Sequence, residues 1–254
     1  MIPLVLVGAA GRMGRAVVEA AAGSGDFELR ACVDRIQPAG ATSPPWTSDL
    51  GAVLRAGDVV VEFSVPAAAA AAATLCAERG ARLVSGTTGL DAAEERVMRA
   101  AAERTAVLRA NNFSVGMLAL RRSLAVALAA LPGWDLEIVE RHHRMKADSP
   151  SGTALTLARD ALAARGWPEA ALRHGREGRL GARPQAEIGL HAVRGGSWAG
   201  DHTLLLAGAG EWLELRHVAQ DRSAFAEGAL KAARFVADAA PGAYTLEAVL
   251  PSGR

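Results

Sequence analysis

Two rhythms of apolar and polar residues divide this chain. Over roughly the first hundred residues, short apolar runs take turns with stretches whose apolar positions recur at helical spacing. Residues 3–7 form the first such run, which ends in Gly8-Ala9-Ala10-Gly11-Arg12-Met13-Gly14. Met13, Val17, Val18 and Ala21 then share one face of a helix. A strand over 28–33 follows, then a Pro-, Gly-, Ser- and Thr-rich loop over 36–47 and a short helix near 48–56. Residues 59–63 are apolar throughout, as in a strand covered on both faces. Pro66 suits the first position of the next helix, and Gly80 suits its end. Another strand at 82–84, a helix at 92–103 and a strand at 106–110 complete the series. Strand–helix alternation this regular predicts a parallel, doubly wound sheet, Rossmann-like in form.

After Asn111-Asn112 the rhythm changes. A long helix over 115–131 stops at Pro132-Gly133, and residues 136–140 alternate as a half-buried strand does, delivering His142 and His143 at its end. Ser149-Pro150 reads as an N-cap with proline at the first helical position, giving a helix over 149–165 closed by Gly166. A charged, Gly-rich loop over 173–183 precedes alternating runs at 187–193, 202–207 and 212–217. These predict an antiparallel or mixed sheet with one wet face, hence a smaller α+β domain. The last helix, 223–239, has its apolar side at Phe225, Leu230, Ala233 and Phe235, and its return to the first domain is left open by the pattern.

Composition narrows the function. With 254 residues the chain suits one large domain or two modest ones, and a net charge of +1 gives no reason to expect a nucleic acid partner. The longest largely apolar stretch, 67–77, is too short for a bilayer and mostly alanine. The N-terminus reads as a first strand, not a signal peptide, so a cytoplasmic protein with no membrane partner is expected. Cys32 and Cys76 lie in apolar runs as buried thiols, and no metal site is expected.

Two regions carry chemistry. Gly8-x-x-Gly11-x-x-Gly14 follows a strand and opens a helix, the setting in which glycines let a pyrophosphate approach a helix N-terminus. The spacing departs from G-x-G-x-x-G, but Asp34 stands 20 residues beyond Gly14 at the end of the second strand, where a ribose hydroxyl is read. Arg35 and Arg12 suit a 2′-phosphate, so NADH and NADPH are both candidate cofactors; an Asp34–Arg35 surface pair is the plainer alternative. Gly86-Thr87-Thr88-Gly89 and Ala110-Asn111-Asn112-Phe113 occupy the same sheet edge, and the Thr hydroxyls can bond a carboxamide.

The second region is Arg141-His142-His143-Arg144-Met145-Lys146-Ala147-Asp148-Ser149-Pro150-Ser151-Gly152-Thr153. Lys146 is one of only two lysines among 28 basic residues, and unlike arginine a lysine can release its proton. Ser151, Gly152 and Thr153 at a helix start suit a carboxylate or phosphate, with His143, Arg144 and Lys146 as further donors. The other histidines, His174, His191, His202 and His217, stand alone and read as structural or surface residues. Trp198 and the Arg194-Gly195-Gly196 turn suit either the lining of a pocket in the second domain or, as the favoured reading, an ordinary hairpin.

Glu140-x-His142-His143-x-x-Lys146-x-Asp148-x-Pro150-Ser151-Gly152-Thr153-Ala154 resembles the signature of the 4-hydroxy-tetrahydrodipicolinate (dihydrodipicolinate) reductase family. Gly8–Met13, Gly86–Gly89 and Asn112-Phe113-Ser114-Val115-Gly116 match it too, so the resemblance spans nearly the whole chain. It implies reduction of a cyclic imine dicarboxylate by NADH or NADPH on the diaminopimelate route to lysine. His142 would be the general acid/base and Lys146 the proton donor, while His143 and the Gly152-Thr153 backbone would hold substrate carboxylates. Residues 8–13, 34–35, 86–88 and 110–113 would hold the cofactor. The resemblance further implies a nucleotide domain of 1–112 and 220–254, a substrate and oligomerisation domain of 113–219, and a homotetramer built through the mixed sheet. Ser149, where alanine is usual, and Asn111, where proline or alanine is common, are the departures. Another reductase of the same architecture is disfavoured in its acyl-enzyme form, because no Cys lies near the His–Lys motif. An NAD(P)-sensing module would not need that motif at all.

Overall fold

The computed structural model describes residues 1–40 and 43–250, so Ala41 and Thr42 of the predicted 36–47 loop lie outside the described residues. The chain forms two compact units, Met1–Val115 with the segment from Arg222 onward, and Gly116–Asp221.

The first unit is built on β1 (Ile2–Val7), β2 (Phe27–Val33), β3 (Trp46–Thr47), β4 (Val59–Glu62), β5 (Arg82–Ser85), β6 (Ala106–Arg109) and the last strand, β12 (Gly242–Thr245). All pair in parallel, in the order β12-β6-β5-β4-β1-β2-β3. Val5, Val7, Val60, Leu83 and Val107 share a core with α3 (Pro66–Arg79) and α4 (Ala92–Ala102) on one face. On the other face α1 (Arg12–Ser24) packs on α7 (Ser223–Asp238), which lies against β4 and β5. Central strands are therefore buried on consecutive residues, as Val59–Glu62 shows. The proline start and glycine stop of α3 are as the sequence predicts, with Gly80 at φ 69°.

Three features depart from the expected pattern. The short strands β3 and β12 extend the sheet at either edge; β3 has only two residues, and the four of β12, Gly242-Ala243-Tyr244-Thr245, form no apolar run. The short helix α2 (Leu50–Val53) is confined to one turn, capped by Asp49. The buried side of α7 is Ala226, Gly228, Ala229, Leu230, Ala232, Ala233 and Val236, while Phe225 and Phe235 are only half-buried. A Cβ at Gly228 would overlap the Phe113 carbonyl, so close approach selects small residues where hydrophobicity alone would place the aromatics.

In the second unit, β11 (Trp212–Ala219), β10 (Gly200–Ala207), β7 (Asp135–His142), β9 (Ile188–Arg194) and β8 (Leu172–His174) form a mixed sheet in that order. β7 pairs antiparallel with β10 and parallel with β9. Its inner face packs on α5 (Val115–Ala130) and α6 (Gly152–Arg165). β8 was not separable from the predicted 173–183 loop, being three residues long. The helix start also needs correction. Ser149 and Pro150 precede the helix, and Ser151 is the N-cap, extended at φ −66° and ψ 149°, with its Oγ accepting from Ala154 N at 3.1 Å.

Sheet register then places the chemistry. Along β7 the inward positions are Leu136, Ile138, Glu140 and His142. Leu136 and Ile138 face Leu206 and Leu204 on β10, and Ile188 and Leu190 on β9. Two residues on, the same rows turn polar: Glu140 pairs with His202, and His142 with Arg194. An apolar core thus runs into a buried polar end beside the start of α6.

Candidate active site

The carboxyl edge of the parallel sheet gathers the predicted nucleotide residues of the first unit. Gly8 follows β1 at φ 79°, and its Cβ would collide with the Phe63 carbonyl after β4. A Cβ at Gly14 would stand 2.6 Å from Ala9 Cα, so glycine is needed for the helix to pack on the loop. Helix α1 begins after Gly11 with no side-chain cap and no acidic residue in its first turn. Its N-terminus thus keeps backbone donors for an anion, and Arg12 is exposed beside them. Asp34 Oδ2 accepts from Ala10 N at 3.0 Å, and its Oδ1 accepts from Ile36 N at 3.2 Å. The carboxylate therefore braces the glycine turn, and Arg35 next to it is exposed. These features fit a dinucleotide.

Glu62, at the end of β4, is a residue that no sequence motif singles out. It is fully buried, yet its Oε1 accepts from Ser64 N at 2.6 Å and Thr87 Oγ1 at 2.6 Å, and its Oε2 from Ser85 Oγ at 2.7 Å. Thr87, expected to offer its hydroxyl to a carboxamide, uses it to bond Glu62 and is itself buried. Gly86 packs so close to the Phe63 ring that an added Cβ would collide with it, and that ring meets Phe113 edge-on at 5.4 Å. Phe113 is buried, with its ring packed on Phe63. Ala110, Asn111 and Asn112 lie more openly, and Asn112 Oδ1 accepts from Ser114 N at 2.8 Å.

In the second unit the signature residues converge on Glu140, which is fully buried. Its Oε2 lies 2.6 Å from His142 Nδ1 and 2.7 Å from Arg194 Nη1; its Oε1 lies 2.8 Å from Arg194 Nη2 and 3.0 Å from Ser151 N. Burial opposes its charge, but Arg194, His142 and the Ser151 N–H outweigh that and hold the carboxyl below the usual range. Arg194 Nη2 also donates to the Asp148 carbonyl at 2.7 Å, tying the loop down. Lys146 Nζ sits 2.7 and 2.9 Å from the two Asp148 carboxylate oxygens, and this pairing keeps the Asp148 carboxyl low. His143 lies just past β7, its N–H donating to Trp198 O at 2.9 Å. Gly152 is exposed and Thr153 half-buried in the first turn of α6.

His202 is a correction to the sequence reading. It is buried, meets the His142 ring edge-on at 5.2 Å, and places Nε2 3.2 Å from Ser151 Oγ. Burial, and then the charge of His142, push its pKa down to about 4. Arg194 likewise lines the candidate site on Glu140, the less favoured of the two readings of its turn. Only the pairing of β10 and β9 with β7 reveals either residue. Cys32 and Cys76 are buried free thiols, pushed up to about 11 and about 12 by burial. Among the described residues no group of three His, Cys, Asp or Glu is placed to hold a metal ion, and no helix is long and apolar enough to cross a membrane.

Comparison with known proteins matches both units. Residues 2–113 fit the family model for the dihydrodipicolinate reductase N-terminus, and residues 116–250 that for its C-terminus. The chain belongs to the dihydrodipicolinate reductase family. A 4-hydroxy-tetrahydrodipicolinate reductase of Thermomicrobium roseum is 44% identical, covering 97% of this chain and 98% of that one. One from Thiobacillus denitrificans is 43% identical, covering 98% of each. A solved family member, dipicolinate-bound dihydrodipicolinate reductase from Paenisporosarcina sp. TG-14, superposes with a TM-score of 0.82 at 26% identity, over 98% of this chain and all of the other. Diaminopimelate dehydrogenase of C. glutamicum, at 15% identity and a TM-score of 0.54, shares the fold.

Proposed function

We propose that this chain reduces 4-hydroxy-tetrahydrodipicolinate to tetrahydrodipicolinate, using a pyridine nucleotide, in diaminopimelate and lysine biosynthesis. Full-length similarity to reductases of that name supports the activity. The single structural observation that carries it is the Glu140–His142 pair set against the Ser151-capped helix start, with Lys146 on the connecting loop. An acid/base group and an anion-binding helix end are what a dicarboxylate needs if it is to accept a hydride and then a proton.

The first unit holds the cofactor: Gly8–Met13 take the pyrophosphate, Asp34 and Arg35 the adenosine ribose, and residues 86–88 and 110–113 the nicotinamide end. When bound, the reduced nicotinamide supplies hydride to an unsaturated substrate carbon. Exposed Arg12 and Arg35 beside Asp34 suit NADPH as well as NADH, and both are proposed as cofactors. In the second unit, His143 with Ser151, Gly152 and Thr153 binds the carboxylates. The 4-hydroxyl leaves as water, which creates the unsaturated carbon that takes the hydride, and His142 and Lys146 move the proton that completes the reduction. Gly200 stands by His142 Nε2, where a Cβ would lie only 3.3 Å away, so glycine leaves room at that nitrogen. The solved relative's dipicolinate is itself a planar dicarboxylate, in keeping with this substrate class. A cytoplasmic homotetramer associated through the outer face of the mixed sheet, where Trp212 and Val218 are exposed, is proposed as the working form.

Purified protein is expected to oxidise NADPH when supplied with the condensation product of pyruvate and aspartate semialdehyde. Absence of turnover by protein that binds NADPH refutes the assignment.

A further inference from the structure

We propose that Glu140, clamped by Arg194, is a positioning residue for His142: it fixes the Nδ1–H tautomer of the ring and leaves Nε2 to exchange the proton. The inference rests on the proposed role of His142 in proton transfer.

The hydrogen bonds around Glu140 admit one assignment. Arg194 donates to both carboxylate oxygens, at 2.7 and 2.8 Å, and the Ser151 N–H donates to Oε1 at 3.0 Å. Guanidinium and backbone N–H groups never accept, so both oxygens act as acceptors. The remaining close neighbour, His142 Nδ1 at 2.6 Å from Oε2, must therefore carry a proton. Nε2 is left on the far side of the ring, beside Gly200. The same carboxylate holds Ser151 N, so the proton-transfer ring and the anion-binding helix start are fixed to one group. Arg194 extends this to the Asp148 carbonyl and hence to the loop bearing Lys146. The second ring of the cluster does not compete for the charge. His202, whose own neighbours include His217 and Asp201, stays neutral because burial and His142 oppose its protonation.

The amide of Glu140→Gln has the shape of the carboxylate but cannot satisfy this ring of donors. With its NH2 at the Oε2 position it would donate to His142 Nδ1 and force the ring proton to Nε2. Placed at the Oε1 position instead, it would oppose the Ser151 N–H and Arg194 and release the helix start.

The test reads the tautomer directly, in the full-length protein labelled with ¹⁵N-histidine, with His142 resonances assigned by their loss in His142→Gln. In the wild type the neutral ring is expected to show a protonated Nδ1 and a bare Nε2; a protonated Nε2 overturns the proposal without recourse to any variant. In Glu140→Gln, and in Glu140→Gln with Arg194→Met so that no cation is left unpaired, the Nδ1–H form is expected to be lost. The turnover number should fall on the order of 10²–10⁴-fold, the scale of losing a correctly oriented acid/base. The Kd for NADPH should stay within about twofold, because the cofactor is assigned to the other unit. A folded variant that keeps the Nδ1–H tautomer or the wild-type turnover overturns the proposal. If His142→Gln itself keeps wild-type turnover, the parent reading of His142 fails, whatever the tautomer.

Discussion

Burial of a neutral histidine in the second unit predicts an acid-labile core. His202 sits against His142 and Ser151 with a pKa pushed down to about 4, against 6.5 for an ordinary histidine. The unfolded chain binds this proton below pH 6.5, whereas the folded protein resists it until about pH 4. Stability is therefore full above the unfolded value and is lost as pH falls from about 6.5 towards 4. At 1.36 kcal/mol per pH unit the ceiling is about 3 kcal/mol, of which roughly 2.5 kcal/mol is lost by pH 4.5. Replacing His202 by Gln keeps a polar partner for Ser151 Oγ and removes the titration. Urea unfolding of wild type and His202→Gln at pH 7.5 and 4.5, followed by circular dichroism, gives the difference. The wild type is expected to lose roughly 2.5 kcal/mol more than the variant across that range. His217, also held low by burial, titrates in both proteins and cancels. Glu137, held at about 2 chiefly by Arg176, His191 and Arg183 against its own burial, contributes below pH 4.5, outside the range. Equal pH dependence in the two proteins would refute the assignment of His202 as a buried neutral ring.

Three further outcomes follow from the site. Lys146→Ala should cut turnover by on the order of 10²–10⁴ while leaving NADPH affinity intact, checked by steady-state kinetics and fluorescence titration. Gly14→Ala should sharply weaken cofactor binding, because the added Cβ meets Ala9 Cα at 2.6 Å in backbone that cannot give way, and calorimetric titration with NADPH measures the loss. Arg35→Ala should weaken NADPH binding by roughly 10-fold or more and NADH binding much less, as expected for one charge-assisted bond to a 2′-phosphate, and equal losses for both cofactors would remove Arg35 from that role.

The parallel sheet of the first unit was legible because its strands are buried on both faces and punctuated by Gly8, Gly80 and Pro66, whose backbone preferences are local. Strands β3, β8 and β12 were not, because two or three residues carry no period, the four of β12 form no apolar run, and their pairing is set by neighbours distant in the chain. The buried side of α7 was legible at Leu230 and Ala233 but not at Gly228, which answers to the Phe113 carbonyl, a contact invisible along the helix. In the second unit, the His142–Lys146 segment and the helix start at Ser151 announced themselves as a dense local motif. Glu140 stood in that motif without a role, since a carboxylate in an alternating strand reads as its wet face. Register makes it the inward residue, and Arg194 and His202 arrive beside it from β9 and β10. Leaving such a carboxylate buried without its cation costs about 3–5 kcal/mol. Arg194 is the compensation that sequence order concealed. Glu62 was hidden in the same way, its hydroxyl partners Ser85 and Thr87 lying more than twenty residues away.

The most direct test of the assigned reaction follows the hydrogen atoms. Protein supplied with NADPH deuterated at the transferable position of the nicotinamide, and with the condensation product of pyruvate and aspartate semialdehyde, should yield tetrahydrodipicolinate carrying one deuterium, as read by mass spectrometry and NMR. The proton that completes the reduction, proposed to pass through His142 and Lys146, should come from solvent. Product without cofactor deuterium, or cofactor left unoxidised by protein that binds it, would contradict the account.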